Sequence, residues 1–215
     1  KRDAGTALRH LREEGYLPEA IVNSVARLGW SPGENFMTLE ELSNSFSLEK
    51  LSRSPSVFDK ERLKHYNKTA LSGKDALSLL KLSSLSAPGI EEEKLIEAVQ
   101  AVKANAETLV DLKRLIDPFV GEPDSTGETE KVLSEERAKA VLRALKERVE
   151  ETTALDETSF NAIMAGVKAK TGAKGKMLFM PIRAALTGAA EGIELVKIFK
   201  LLGKERIIKR LGRWV

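Results

Sequence analysis

The chain has 215 residues, 42% of them hydrophobic and only 5% aromatic, enough for two modest aliphatic cores or one large one. It has no cysteine, which excludes a disulfide scaffold, thiol catalysis and a cysteine-type zinc site. No apolar run approaches the roughly 20 residues that cross a bilayer, and no signal peptide precedes the first helical pattern, so a soluble cytoplasmic protein without membrane association is expected.

The net charge of +3 conceals an asymmetry. From Lys168 to Val215 there are 12 Lys or Arg against three acids, a local balance of +9, so the remainder is net acidic. A polyanionic partner and a merely solvated helical face both account for such a bias.

In chain order, a helical pattern that turns Leu8, Leu11 and Tyr16 inward ends at Gly15. Pro18 opens the next helix, on which Ile21, Val22, Val25 and Leu28 recur at helical spacing. Gly29-Trp30-Ser31-Pro32-Gly33 reads as a turn pinned by tryptophan. Thr38 with Glu41 forms a capping box, Ser47 caps Leu48 to Leu51, and Lys60 to Leu71 reads as a helix carrying Leu63, Tyr66 and Asn67. A helix over 90–104 lines up Leu95, Val99 and Val102 behind the acidic start Glu91-Glu92-Glu93.

The acidic, turn-rich stretch Gly121 to Glu128 reads as a linker that stays solvated. Beyond it, a helix from Ser134 turns Ala138, Val141, Leu142, Leu145 and Val149 inward, and Asp156 or Thr158 caps a helix that ends at Gly172. Lys168, Lys170, Lys174 and Lys176 flank a glycine-containing turn. They suit phosphate contacts or a plain soluble loop. Pro181 is expected to start or kink the next helix, which carries Arg183 among Leu178, Phe179, Ile182 and Leu186. A guanidinium in such surroundings needs a planar anionic or π-rich partner, either a carboxylate inside the fold or a nucleotide outside it. Basic residues Lys204, Arg206, Lys209, Arg210 and Arg213 end the chain, and Trp214 reads as a packing cap.

No residue set supports catalysis. His10 and His65 are isolated and read as surface or packing residues, and Gly166 to Lys176 lacks the glycine spacing and the Ser/Thr of a phosphate loop. No window alternates with period two, so the fold class expected is all-α.

The phrase Lys174-Gly175-Lys176-Met177-Leu178-Phe179-Met180-Pro181-Ile182-Arg183 through Thr187-Gly188, followed by Phe199-x-Leu201-Leu202-Gly203-Lys204-Glu205-Arg206 and Arg210-Leu211, resembles the anticodon-binding region of bacterial glutamyl-tRNA synthetases. Arg12-Glu13-x-Gly15-Tyr16-Leu17-Pro18-Glu19-Ala20 with Leu28-Gly29-Trp30-Ser31-Pro32 is similar to the segment ahead of that family's stem-contact fold. Phe58-Asp59-x-x-Arg62-Leu63 with Asn67 resembles its Phe-Asp-x-x-Lys-Leu-x-Trp-x-Asn phrase, His65 standing in place of the usual tryptophan.

The resemblance implies an end of the ATP signature loop and a stem-contact remnant over residues 1–74, a first helical anticodon-binding subdomain over 75–120, a linker over 121–130 and a second such subdomain over 131–215. Lys1 would be the last lysine of the ATP loop. The nucleotide-binding domain would precede Lys1, so the chain alone is expected to lack aminoacylation activity and to hold no metal or cofactor. The intact enzyme would use ATP and magnesium. Arg183, Gly192, Ile193 and Leu195 would receive anticodon bases, and Lys170, Lys174, Lys176, Lys204 and Arg206 would meet tRNA phosphates. Asn105 stands where an arginine reads an anticodon base in enzymes that accept only tRNA-Glu. Either discrimination against tRNA-Gln is relaxed or the alignment slips by a residue. The expected partners are tRNA-Glu and, as a second candidate, tRNA-Gln, bound by a monomer. The rival reading is a helical protein-interaction module docking on an acidic partner or an amidotransferase.

Overall fold

The computed structural model describes residues 7–30, 33, 35–52, 56–87, 89–124 and 127–215. Every regular element among them is helical, and the chain is all-α. Contacts group it into two units, Lys1–Pro88 with Val102–Leu115, and Gly89–Ala101 with Ile116–Val215. The stretch expected as a linker, 121–130, falls within the second unit, where a helix already begins at Gly127.

The first unit begins with α1 (Leu8–Glu13), α2 (Pro18–Ala26) and α3 (Leu39–Ser45). Pro18 occupies the first helical position of α2, where its missing N–H costs nothing. The capping box closes as expected: the Thr38 hydroxyl accepts from the Glu41 N–H at 3.2 Å and the Glu41 carboxylate accepts from the Thr38 N–H at 2.7 Å. A short 3₁₀ turn, Leu48–Lys50, follows its Ser47 cap. Asp59 caps α4 (Lys60–Gly73), and Asp75 caps α5 (Ala76–Ser83).

Leu11, Tyr16, Ala20, Ile21, Leu63 and Tyr66 form a core cluster with Phe36 and Phe58 against it. Each fully buried leucine among them is worth about 2 kcal/mol. Asn67, fully buried on α4, accepts from the Leu17 N–H at 2.7 Å and donates to the Glu107 carbonyl at 2.6 Å. One side chain so braces three separated stretches of backbone. Trp30 is buried and meets Phe46 edge-on at 5.3 Å, while Ser31 and Pro32 of the expected turn lie outside the described residues.

Two expectations for this unit are corrected. Leu8 is 67% exposed rather than inward, and Val22 and Val25 on α2 are exposed. The inward face of α2 is Ala20, Ile21, Asn23 and Ser24. Asn23 turns that face because its amide donates to the Glu19 and Met37 carbonyls and accepts from the Met37 N–H, tying α2 to the strand-like approach to α3. Hydrophobic spacing alone is blind to such a polar tie.

α6 (Glu92–Val102) and α7 (Leu109–Val120) each contribute to both units. The second unit continues with α8 (Gly127–Ser134), α9 (Glu136–Glu151), α10 (Glu157–Thr171), α11 (Lys176–Thr187) and α12 (Leu195–Leu211). On α9 the residues expected inward, Ala138, Val141, Leu142, Leu145 and Val149, are all buried. α8, α10, α11 and α12 pack around it. Of the two candidate caps for α10 it is Asp156 that serves, in a capping box with Ser159. Phe160 meets Phe199 edge-on at 5.0 Å, joining α10 to α12.

Three backbone features shape the end of the unit. α11 starts at Lys176, after Gly175, and carries Pro181 in its interior, so the proline does not begin the helix. Gly188 closes α11 at φ 73°, and a Cβ there would lie 2.2 Å from the Asp124 carbonyl oxygen. Only glycine fits both the left-handed conformation and that approach. α12 breaks at Gly203, φ 72° and ψ 166°, into two short helices.

Candidate nucleic-acid interface

α11 buries Leu178, Pro181, Ile182, Ala184, Ala185 and Leu186, which leaves Arg183 half-buried at the edge of that face. After Gly188 the chain folds back so that the Ile193 carbonyl accepts from the Arg183 guanidinium at 2.6 Å. Among the described residues this is its hydrogen-bond partner, and no carboxylate lies within ion-pair distance. Burial lowers the pKa of Arg183, and the nearby charge of Glu191 opposes that shift. The internal carboxylate offered as one alternative by the sequence is therefore not what holds it. The structure brings Arg183 to Ile193; Ile193 and Leu195 are buried, while Gly192 is exposed at φ 141°. The result is a turn of accessible backbone at Gly192 beside a guanidinium fork with N–H groups to spare, groups suited to the polar edge of an unstacked base. Asn105 lies in the first unit, exposed on the 3₁₀ turn Lys103–Asn105.

The basic residues divide by use. Lys174 and Lys176 are exposed on the turn into α11 and have no ion pair among the described residues. Lys168 sits over the Phe179 ring at 5.7 Å. Lys170 pairs with Glu147. Lys204 donates to the carbonyls of Glu150 and Thr152, both at 2.7 Å, at the end of α9. Arg206 donates to those of Phe119 and Gly121, at 2.6 and 3.0 Å, at the end of α7. A helix C-terminus exposes carbonyls that lack partners and carries partial negative charge, so these cations neutralise what the fold leaves open. Lys204 and Arg206, expected to meet phosphates, thus have a competing use within the protein.

The sequence placed Arg210 only among the basic residues at the end of the chain, with no role of its own. It is 1% exposed, and its guanidinium donates to the Leu186 carbonyl at the end of α11, to Pro118 at 2.6 Å and to Gly121 at 2.7 Å. Glu122, expected to stay solvated, instead gathers Lys209 at 2.6 Å, Arg213 at 3.1 Å and Arg210 at 3.8 Å. Burial, reinforced by Arg206 and Arg213, brings Arg210 down to about 10 against the opposing pull of Glu122. A signal was present: Arg210 stands three residues after Ile207 and one before Leu211, on the stripe that faces inward.

Lys1, the expected end of the ATP loop, lies outside the described residues. His10 pairs with Glu14 at 3.1 Å on the surface of α1, and His65 is exposed on α4. Among the described residues no three His, Asp or Glu side chains gather to hold a metal ion, and no helix is long and apolar enough to cross a membrane.

The second unit is an all-α unit that holds a half-buried guanidinium beside a backbone turn, with exposed lysines at the start of the same helix. Comparison with known proteins supplies the class: residues 62–215 match the family described as anticodon binding domain, and the chain belongs to that family. Residues 1–65 match the catalytic domain of class I tRNA synthetases of the E and Q type. Glutamate–tRNA ligase 2 of Syntrophus aciditrophicus is 38% identical over 223 residues, and the glutamate–tRNA ligase of Desulfitobacterium hafniense is 35% identical over 230. Each alignment covers 99% of this chain and 46% of the relative, so the chain spans about half the length of these relatives. A crystal structure of a glutamate tRNA ligase from Elizabethkingia meningosepticum in complex with its amino acid superposes with a TM-score of 0.77 at 24% identity, over 94% of this chain and 42% of that one, which shows the shared fold. The resemblance to bacterial glutamyl-tRNA synthetases is borne out.

Proposed function

We propose that the chain recognises the anticodon arm of tRNA-Glu within a glutamate–tRNA ligase of the cytoplasm. The observation that carries this reading is Arg183, half-buried and tethered by one bond to the Ile193 backbone carbonyl. Its remaining N–H groups offer a planar fork to a splayed base, the backbone at Gly192 supplies polar groups, and the buried Ile193 and Leu195 side chains fix the turn that presents them. Lys174 and Lys176, free of ion pairs, are the best phosphate contacts; Lys170, Lys204 and Arg206 already have partners within the protein. Asn105 carries a neutral amide that cannot replace a cationic fork, which supports acceptance of tRNA-Gln beside tRNA-Glu.

The ligase as a whole would join glutamate to tRNA with ATP and magnesium. The chain spans about half the length of its relatives, and these 215 residues are proposed to contribute recognition and to be inactive alone.

Filter binding of tRNA-Glu transcript to the chain tests the proposal. Affinity should fall with salt, with a log–log slope of roughly −0.7 to −0.9 per phosphate contacted, and should fall again when the anticodon bases are changed. Binding indifferent to the anticodon would sink it and favour a module that docks on another protein.

A further inference from the structure

α11 buries Leu178, Pro181, Ile182, Ala184, Ala185 and Leu186, and leaves Phe179 partly exposed on the side that carries Arg183. The two residues are four apart in sequence, which makes them neighbours along one face of the helix, separated by a rise of about 6 Å. The Lys168 ammonium, from the last turn of α10, lies 5.7 Å from the centroid of the Phe179 ring. Lys168 is itself exposed, so that face of the ring is screened from water by a flexible side chain rather than by packed core.

We infer that Phe179 is the stacking platform for a second anticodon-loop base, the neighbour of the one that the Arg183 fork holds. RNA recognition draws unstacked bases onto aromatic faces and guanidinium planes, and α11 presents one of each a single turn apart. Stacked bases follow one another along a strand at about 3.4 Å, against the rise of about 6 Å from Phe179 to Arg183, so neighbouring bases reach both side chains only when splayed apart. Lys168 yields its place to the base. A lysine over an exposed ring is worth about two- to fivefold in an equilibrium and a base stacked on an aromatic ring about five- to 150-fold, so the exchange favours the base. The displaced ammonium is left beside a nucleotide whose phosphate is anionic, and its charge is not stranded. Every base has a π face, so Phe179 fixes the path of the strand and leaves the reading of base edges to Arg183 and the turn at Gly192.

The inference rests on the anticodon reading of Arg183 and adds a subsite to it. Its test is filter binding of the 215-residue chain to tRNA-Glu transcripts, either intact or with one anticodon-loop base removed to leave an abasic sugar. Phe179→Leu keeps an apolar side chain without the ring and should bind the intact transcript about tenfold more weakly. On one abasic transcript, and on that one alone, Phe179→Leu and wild type should bind alike, because the ring has nothing to hold. Putting any other base at that position should restore the difference. Arg183→Ala should still weaken binding to the same abasic transcript, since it holds a different base. An equal loss in Phe179→Leu on every transcript would give the ring a role in the fold alone and overturn the inference, as would binding indistinguishable from wild type. If Phe179→Leu loses helical content by circular dichroism, Phe179→Trp carries the test. Its indole emission, taken against wild type, should be quenched by intact tRNA-Glu and not by the abasic transcript, and quenching by both or by neither would overturn the inference. In each overturning case the anticodon dependence carried by Arg183 would be untouched, whereas loss of anticodon dependence in the wild-type chain would sink the reading beneath it.

Discussion

Two basic stretches of the second unit use their positive charge in opposite ways. Around the turn into α11, Lys174 and Lys176 stand exposed and Arg183 makes a single bond to a backbone carbonyl. From Lys204 to Arg213, the cations close carbonyls at the ends of α7, α9 and α11 and surround Glu122. Net charge counts both stretches alike. What separates them is geometry: three helices end within reach of the second half of α12, and the open backbone groups there claim the cations first. An electrostatic bias in sequence therefore measures a supply of charge, and only the positions of helix termini decide how much of it remains for a partner.

The comparison is broken most directly at its buried end. Arg210→Ala removes the side-chain donor from the Leu186 and Pro118 carbonyls at two helix ends and should destabilise the protein by about 3–5 kcal/mol, read by urea unfolding. Gly188→Ala places a methyl against the Asp124 carbonyl at a positive φ and should cost about 2–3 kcal/mol by the same measurement.

At the exposed end the effects move from stability to binding. Arg183→Ala should weaken tRNA-Glu binding by about 1–3 kcal/mol while helical content is retained, with about 1 kcal/mol of stability lost with its hydrogen bond. Loss of folding instead would place Arg183 with Arg210. Glu122 is held below the ordinary glutamate value of about 4.5 by the Lys209 hydrogen bond and by the neighbouring arginines. Its contribution is complete above that value and is lost as pH falls through the lower folded one. Glu122 is half-exposed, so the loss should be under about 1 kcal/mol, and Glu122→Gln should flatten the acid limb of the stability profile. The smallest change belongs to Lys174→Gln/Lys176→Gln, which should leave stability within about 0.5 kcal/mol and reduce the salt slope of tRNA binding by about 1.5.

Much of this architecture was legible in the sequence because it is written in local chemistry. The Thr38 and Asp156 caps, Pro18 at a first helical position, and the inward stripe of α9 all follow from neighbours a few residues apart. Arg183 stood out as a lone cation in an apolar helix. Missing were the relations between distant residues: Asn23 turning α2 by its hold on Met37, and Arg210 reaching backward to Pro118 and Gly121. A carbonyl has no letter in the sequence, so a side chain whose partners are carbonyls leaves no complementary charge to find. Glu122 misled for the converse reason, since its acidic neighbourhood suggested solvent while its partners lay almost ninety residues away.

Asn67 fastens Leu17 across 50 residues and Glu107 across 40, and the first unit takes back Val102–Leu115 after the chain has left it. During synthesis on a ribosome, the amino-terminal helices must therefore wait, with that amide unsatisfied, until the stretch beyond residue 101 has emerged. A nascent chain arrested near residue 95 should be open to protease around Tyr16 and Leu63, and one arrested well past 115 should be closed there.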